Sequence, residues 1–159
     1  MKKQEYLNLK QYQLINQISS GTLSDVYRVK EKNTNILYAA KTIDCGDQNL
    51  DTTTNNFLPE FNKISKISHG SIHKLIGLSQ FHFENEKQPV IISEFLGNGT
   101  LKEIIELDRK SKTDKYLNET RKLIIIYGIA SAMSCLHSYS IVHQDLKPSN
   151  ILIDDYLCP

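Results

Sequence analysis

The sequence lacks a long apolar run, an excess of charge of one sign and a leader-like start. Its longest apolar stretch, Leu123–Ala130, is far shorter than the roughly 18 residues that a membrane span needs. Met1–Lys10 carries lysines but no apolar core, so we expect no secretory signal. Nineteen basic and 18 acidic side chains leave a formal net charge of +1. These absences predict no membrane and no nucleic-acid partner.

Cysteine is also scarce, and the chain has no internal repeat and no low-complexity tract. Cys45, Cys135 and Cys158 form no Cys-x-x-Cys pair, which argues against a zinc finger and a disulfide scaffold. Their odd number favours reduced thiols, so we expect a cytoplasmic protein, with the nucleus as the alternative. With 159 residues, 40% of them hydrophobic and 23% charged, the chain is typical of one ordinary globular domain.

The first half of the chain alternates short runs of β-forming residues with turns. Between the third and fourth runs, Asp44–Asn56 is predicted to be a polar loop, and a helix with an apolar stripe follows it. This order predicts an α+β fold that begins with a five-stranded antiparallel sheet and one helix. The predicted strands are Tyr12–Ile18, Asp25–Lys32, Ile36–Ile43, Leu75–Phe83 and Val90–Phe95, and the helix stripe is Phe57, Phe61, Ile64 and Ile67.

The second half is predicted to be mainly helical. The turn Gly97-Asn98-Gly99 ends the strand pattern, and Thr100 with Glu103 forms a capping box for the next helix. A charged loop is expected at Asp108–Lys115. The capping box therefore marks the point at which the fold changes from sheet to helix.

A longer helix is predicted from about Asn118 to His137, and it is apolar on more than one face. Such a helix is expected to be buried on all sides, and the rest of this sequence is too short to bury it. The last predicted strand, Ile151–Ile153, has no obvious partner to pair with. Both observations lead to the expectation that the chain ends before its fold does.

The first segment with chemical potential is the turn between the first two strands. Small residues from Ser19 to Ser24 surround Gly21, and Lys41 follows about 20 residues later. Small residues let backbone amides approach phosphate oxygens, and a lysine neutralises them. Because Gly21 is the only glycine in the turn, an ordinary hairpin is the alternative interpretation.

The second segment is the polar stretch His143–Asn150, which precedes the last predicted strand. Asp145, Lys147 and Asn150 are spaced two and three residues apart. A carboxylate, an ammonium and a carboxamide at this spacing can hold a hydroxyl proton, a phosphate and a divalent cation together. An ordinary solvated loop would not require all three groups.

The stretch His143–Asn150 resembles the catalytic loop of eukaryotic protein kinases, H-R-D-L-x-x-x-N. Four other segments agree in order. The turn around Gly21 resembles the glycine-rich loop, and Ala39–Lys41 resembles the end of the V-A-I-K strand. Glu60 lies in a stretch that resembles the regulatory helix, although an exposed helical acid is the alternative. Ile91–Leu101 resembles the gatekeeper, the hinge and the capped helix that follows.

The resemblance implies an ATP site assembled from both halves of the chain. Lys41 is expected to hold the α- and β-phosphates, steadied by Glu60. The backbone of Glu94 and Leu96 is expected to hydrogen-bond the adenine edge. Around the adenine the resemblance places Ile18, Val26 and Ala39 above it, Leu152 below it and Ser93 as the gatekeeper.

The resemblance also implies the chemistry. Asp145 is expected to accept the proton of the substrate hydroxyl, Lys147 to stabilise the transferring phosphoryl group and Asn150 to bind Mg²⁺. A lysine two residues after the aspartate resembles the serine/threonine type, and the hinge wording loosely resembles the tyrosine-kinase-like branch. The implied function is an ATP-dependent protein serine/threonine kinase with ATP and Mg²⁺ as cofactors and a protein serine or threonine as substrate.

Three departures from the family pattern are present. Ser19 and Ser24 stand where two glycines are usual, so the loop is expected to hold phosphates less closely. Gln144 replaces the usual arginine, which argues against control by a phosphorylated activation loop. The sequence contains no Asp-Phe-Gly segment after Asn150.

The resulting domain prediction is a partial protein kinase domain over residues 1–159, with the N-lobe at 12–96 and the start of the C-lobe at 97–159. Because the Asp-Phe-Gly segment is missing, two alternatives stay open. One is a non-catalytic, pseudokinase-like fragment that binds ATP or a partner. The other is a truncated product with no stable function.

Overall fold

A computed structural model of the chain describes residues 6–21, 24–44, 58–84, 88–111, 116–156 and 158–159. Nearly all of the predicted polar loop, together with Phe57, lies outside these residues. The chain divides into two compact units: Met1–Ile67 with Lys74–Phe95, and Ser68–His73 with Leu96–Pro159. The boundary at residues 96 and 97 that we inferred from the sequence stays a prediction.

The first unit contains one antiparallel sheet with the strand order β1-β2-β3-β5-β4. This confirms the five-stranded sheet expected from the sequence. Its core face is formed by buried residues such as Val29, Ala40, Val90 and Ile92, each 0% exposed. The strands are β1 Tyr12–Ser20, β2 Asp25–Glu31, β3 Leu37–Thr42, β4 Leu75–Ser79 and β5 Val90–Glu94.

The fourth strand is shorter than the sequence pattern predicts, because it ends at Ser79 and not at Phe83. The Ser79 hydroxyl accepts the N–H of Phe81 at 3.2 Å and donates to the Phe81 carbonyl at 2.9 Å. These local bonds replace the next rung of the ladder and turn the chain. Alternating apolar residues alone do not reveal this turn.

The helix that follows the polar loop is described over residues 58–64 and is named α1. Phe61 is buried at 5% exposure and Glu60 is exposed. Ile67 is also buried, but it lies beyond the helix, where its N–H donates to the Ile64 carbonyl at 2.9 Å. Phe61 on the helix and Ile67 after it therefore belong to the buried side of this segment.

The helix α2, Leu101–Ser111, begins with the predicted capping box. The Glu103 carboxylate accepts the Thr100 N–H at 2.6 Å, and the Thr100 hydroxyl accepts the Glu103 N–H at 3.3 Å. The charged loop predicted at Asp108–Lys115 is wrong over Asp108–Ser111, because these residues continue the helix, and residues 112–115 lie outside the described residues. Two basic residues in the last turn favour the helix end, and Asp108 accepts the N–H groups of Tyr116 and Leu117, both at 3.1 Å.

The helix α3, Glu119–Ser138, is capped by Asn118, whose side chain accepts the Arg121 N–H at 2.9 Å. Its buried side includes Ile125 and Leu136, which are 5% and 7% exposed. Its other side leaves Leu123 66%, Ile126 63% and Tyr127 76% exposed. The helix thus has more than one apolar face, as the sequence predicts. One apolar face is buried, and another is exposed to solvent. No helix among the described residues is long and apolar enough to cross a membrane.

The strand predicted at Ile151–Ile153 is reduced to a single bridge between Leu152 and Thr100. Two backbone bonds flank it: the Leu101 N–H donates to the Ile151 carbonyl at 2.8 Å, and the Ile153 N–H donates to the Gly99 carbonyl at 3.0 Å. The next amide, that of Asp154, instead donates to the Cys158 carbonyl at 2.9 Å and turns the chain away. The pairing therefore stops after three residues.

Candidate active site

Four of the predicted nucleotide-binding residues share one face of the sheet in the first unit. Val26 pairs with Lys41 across β2 and β3, and Ala39 pairs with Ser93 across β3 and β5. Directly paired residues point to the same face, and so do alternate residues of one strand. Ala40, which lies between Ala39 and Lys41, points to the opposite, buried face. The register thus aligns the predicted adenine roof with the predicted phosphate-binding lysine.

Ile18 and Gly21, two further predicted residues, lie near the tip of the first hairpin. Ile18 is 48% exposed and lies where the pairing register shifts between Gln17 and Ser19. The Gly21 N–H donates to the Ser24 carbonyl at 3.1 Å and closes the turn. Residues 22 and 23 fall outside the described part of the chain. The hairpin itself is therefore formed by the segment that resembles the glycine-rich loop.

Lys41 and Glu60 belong to the same unit, on β3 and on α1. Both side chains are exposed, and no ion pair joins them, although the structure describes both residues. The lysine–glutamate partnership that the resemblance implies therefore stays a prediction for a nucleotide-bound form.

The end of β5 carries the predicted gatekeeper and hinge. Ser93 is buried at 6% exposure. The Glu94 N–H donates to the Lys74 carbonyl at 3.1 Å, and the Glu94 carboxylate accepts the Lys74 N–H at 2.7 Å. Leu96 follows as a half-buried residue at the start of the last segment of the second unit. Sequence reasoning assigned a role to the Glu94 backbone and missed this reciprocal bond of its side chain.

The second unit brings Asp145, Lys147 and Asn150 together in one loop. The Lys147 ammonium lies 2.8 Å from the Asp145 carboxylate oxygen Oδ2, and the Asn150 Nδ2 donates to the same oxygen at 2.8 Å. Nδ2 also donates to the Asp145 main-chain carbonyl at 2.9 Å. The Pro148–Asn150 3-10 turn folds the chain back, so that residues five apart in sequence meet. The cluster is open to solvent, with the Asp145 side chain 62% exposed.

These contacts change the acidity of Asp145. The hydrogen bond from Lys147, then that from Asn150, holds the pKa of the Asp145 carboxyl below its ordinary value, and His143 lowers it further. Partial desolvation opposes this shift without cancelling it. At neutral pH the group is therefore a carboxylate, which is the form that accepts a proton.

Gln144 adopts a backbone conformation that sequence reasoning did not anticipate. Its φ angle is 65°, and the Asp145 N–H donates back to the His143 carbonyl at 2.9 Å across it. This is a three-residue γ-turn of the strained, positive-φ type. Such strain in a non-glycine residue is concentrated at functional sites, where the surrounding structure maintains it. The Asp145 side chain directly after this turn is 62% exposed.

Asn150 offers an oxygen that fits a hard cation. Its Nδ2 is used in the bonds to Asp145, and its Oδ1 accepts no hydrogen bond from the described residues. No cluster of three or more His, Cys, Asp or Glu side chains able to hold a metal occurs in the described ranges. Mg²⁺ commonly takes one or two protein oxygens and completes its shell with phosphate and water oxygens. Asn150 can therefore contribute one ligand, with phosphate supplying the others.

The lowered pKa of Asp145 gives a first testable prediction. Replacing Lys147 with methionine should raise the pKa of Asp145 toward the ordinary value, because the largest cause of the shift is removed. The carboxyl carbon signal of Asp145, followed by NMR through an acid titration, measures this. Lys102→Met, a substitution of an exposed lysine on α2, serves as the control and should leave the pKa of Asp145 unchanged.

The lowered pKa of Asp145 also determines how the folding stability should change with pH. A lowered folded-state pKa stabilises the fold above the unfolded value of about 3.9, and this contribution is lost as pH falls through the folded value. The Lys147→Met protein should therefore lose less stability than wild type through this acid range. Equal Asp145 titration curves in the two proteins would contradict the assignment.

The sequence of this chain matches those of known proteins. The protein kinase domain family matches residues 12–157, and the chain belongs to this family. It is 31% identical over 136 residues to an Aurora kinase of Schizosaccharomyces pombe, a match covering 86% of this chain and 36% of that kinase. It is 32% identical over 149 residues to the probable serine/threonine-protein kinase fhkA of Dictyostelium discoideum, covering 93% and 24%.

A third relative is a probable receptor-like protein kinase of Arabidopsis thaliana, which is 36% identical over 145 residues, covering 89% of this chain and 16% of that protein. The chain thus spans between 16% and 36% of the length of these three relatives. Members of the family generally use ATP and Mg²⁺. The kinase resemblance inferred from the motifs is confirmed, and the roles of individual residues stay predictions.

Proposed function

We propose that these 159 residues supply the ATP-binding sheet and the catalytic loop of a protein serine/threonine kinase. The reaction transfers the γ-phosphoryl group of ATP to the hydroxyl of a protein serine or threonine. The observation that carries the proposal is the Asp145–Lys147–Asn150 cluster, in which one carboxylate oxygen receives two hydrogen bonds of 2.8 Å. Its spacing matches the family's catalytic loop residue by residue.

In this proposal Asp145 orients the substrate hydroxyl and accepts its proton. Its lowered pKa supports the orienting role, because a carboxylate accepts a hydrogen bond from the hydroxyl at any pH near neutral. A weak base takes the proton only as the oxygen–phosphorus bond forms, which suits a loose transition state. Gln144 contributes by its strained turn, which sets the backbone position of the neighbouring Asp145.

Lys147 and Asn150 act on the phosphoryl group and its cation. Lys147 is 52% exposed, so its ammonium can exchange its contact with Asp145 for an incoming phosphate oxygen. Asn150 would hold Mg²⁺ through its Oδ1, and the bound cation would neutralise charge on the phosphate oxygens. The serine/threonine assignment rests on Lys147 standing two residues after Asp145.

On the nucleotide side, the proposal assigns the adenine to the sheet face that carries Val26, Ala39 and Ser93. Ala39 and Val26 are small enough to leave a flat apolar surface, and Ser93 adds no bulk beside it. Lys41 extends from the same face and lies two residues after Ala39 along β3. The adenine edge would meet the backbone of Glu94 and Leu96.

The test uses a polypeptide that carries residues 1–159 followed by an Asp-Phe-Gly segment and the remainder of a protein kinase domain. Incubated with Mg²⁺ and ATP labelled at the γ-phosphate, it should label a mixture of peptides at serine and threonine and leave tyrosine peptides unlabelled. Phosphoamino-acid analysis distinguishes the three. Saturable ATP binding without any labelling would favour the non-catalytic alternative, and labelling confined to tyrosine would contradict the serine/threonine assignment.

A further inference from the structure

The hinge segment, residues 95–97, is where the chain passes from the first compact unit to the second. The division falls between Phe95 and Leu96. Two polar side chains flank this segment, Glu94 before it and Asn98 after it. Glu94 bonds to a main-chain atom 20 residues away in sequence, and Asn98 bonds to one 56 residues away.

Glu94 is fixed to the first unit at two points. Its carboxylate accepts the Lys74 N–H at 2.7 Å, and its own N–H donates to the Lys74 carbonyl at 3.1 Å. Lys74 is the residue at which the chain returns to the first unit after Ser68–His73. A hydrogen bond to an ionised acceptor is stronger than one between neutral groups. The end of β5 is therefore held by its side chain as well as by its backbone.

Asn98 is fixed to the second unit. Its Nδ2 donates to the Asp154 carbonyl at 2.7 Å and lies 3.3 Å from the Asp155 carboxylate oxygen Oδ1. These bonds continue the short ladder of Gly99–Leu101 with Ile151–Ile153 by one further position. The start of α2 and the chain that follows the catalytic loop are thus joined at the residue next to the hinge segment.

We propose that Glu94 and Asn98 are positioning residues that hold the two ends of the hinge segment. Neither side chain is required to touch the nucleotide. The two side chains fix the Glu94 carbonyl and the Leu96 N–H in the positions where they would meet the adenine edge. The adenine contact rests on the proposed function. Without either anchor, adenine binding must also order the segment, and that entropy cost lowers affinity.

The experiment compares Glu94→Ala and Asn98→Ala with wild type in the 159-residue chain. Glu94→Gln is the conservative variant, because its amide oxygen still accepts the Lys74 N–H. Glu106→Ala, on the exposed side of α2, is the control. Hydrogen exchange of the amides of residue 94 and Leu101, which donate to the Lys74 and Ile151 carbonyls, is measured without nucleotide. Binding of adenosine and of inorganic tripolyphosphate is measured by calorimetry.

Glu94→Ala should exchange the amide of residue 94 faster, and Asn98→Ala should exchange the Leu101 amide faster. Both variants should bind adenosine about three- to tenfold more weakly, with tripolyphosphate affinity unchanged. Glu94→Gln, whose neutral amide oxygen accepts a weaker bond, should fall between Glu94→Ala and wild type, and the control should behave like wild type. Unchanged exchange and adenosine affinity in both alanine variants would overturn the proposal, as would equal losses for adenosine and tripolyphosphate. If the wild type binds no adenosine, the proposed nucleotide site does not form in the 159-residue chain, and amide exchange alone decides whether the anchors exist.

Discussion

Replacing Asp145 with asparagine should slow serine and threonine labelling by the extended kinase polypeptide by about 10²–10⁴-fold. Asparagine keeps the shape of the side chain and an oxygen for the Lys147 and Asn150 bonds, but it cannot take a proton. The loss should appear in the turnover rate, while the KM for ATP changes little, because Asp145 acts on the substrate hydroxyl. Steady-state kinetics with a serine peptide measure both quantities.

The matched control for this change is Glu106→Gln, which also neutralises one exposed carboxylate. Glu106 lies on α2, where its contact is an ion pair with Lys102 at 4.0 Å, and exposed pairs of this kind contribute little. Its activity should equal that of wild type. An Asp145→Asn protein with wild-type turnover would show that Asp145 is not the proton acceptor.

The 159-residue chain by itself should show no transfer above background with Mg²⁺ and ATP. Transfer in this family requires a lysine–glutamate pair and a second metal ligand from the Asp-Phe-Gly segment, which this sequence does not contain. Robust transfer by the short chain, lost on Asp145→Asn, would show that these residues are sufficient and that the requirement is wrong.

Local patterns predicted much of the fold. The Thr100–Glu103 capping box and the hairpin around Gly21 involve residues close in sequence, so their spacing determines their geometry. The Asp145–Asn150 cluster is equally local, because its members lie within one loop. Strand positions followed from the alternation of apolar residues, with errors confined mainly to their ends.

The side-chain bonds that sequence reasoning missed have main-chain partners that are distant in sequence. The Glu94 carboxylate bonds to the Lys74 main chain, and Asn98 bonds to the Asp154 main chain. A main-chain group carries no residue-type signal, so no spacing rule identifies it. The Gly97-Asn98-Gly99 turn indicated only that the chain reverses there. The positive φ of Gln144 was missed for a similar reason, since the surrounding loop, and not the residue type, imposes it.

The Lys41–Glu60 relation illustrates a different limit. Each residue lies on the element that its motif predicts, β3 and α1, and the two side chains form no ion pair within the described residues. Whether they meet depends on the position of α1, which the sequence does not determine. In the proposed function, a bound phosphate places a negative charge beside Lys41, so we expect the Lys41–Glu60 partnership to depend on the ligand.

Lys41→Met provides the test of the phosphate-binding assignment. Methionine retains the unbranched apolar stem of lysine and removes the ammonium, so β3 should keep its pairing with β2 and β5. A hydrogen bond to a charged group contributes about 1.5–3 kcal/mol. Lys41→Met should therefore weaken ATP binding by roughly 10- to 150-fold. Because adenosine has no phosphates, its affinity should stay within about twofold of wild type.

Calorimetry of ATP and adenosine with the 159-residue chain separates these ligands. Lys30→Met is the matched control, because Lys30 also lies on a strand of this sheet but pairs with Leu37, near the opposite end of the β2–β3 ladder from Val26 and Lys41. It should bind both ligands like wild type. If Lys41→Met weakened ATP and adenosine equally, Lys41 would have a structural role and the phosphates would be held elsewhere. A selective loss of ATP affinity, absent from Lys30→Met, assigns the phosphate contact to the Lys41 ammonium.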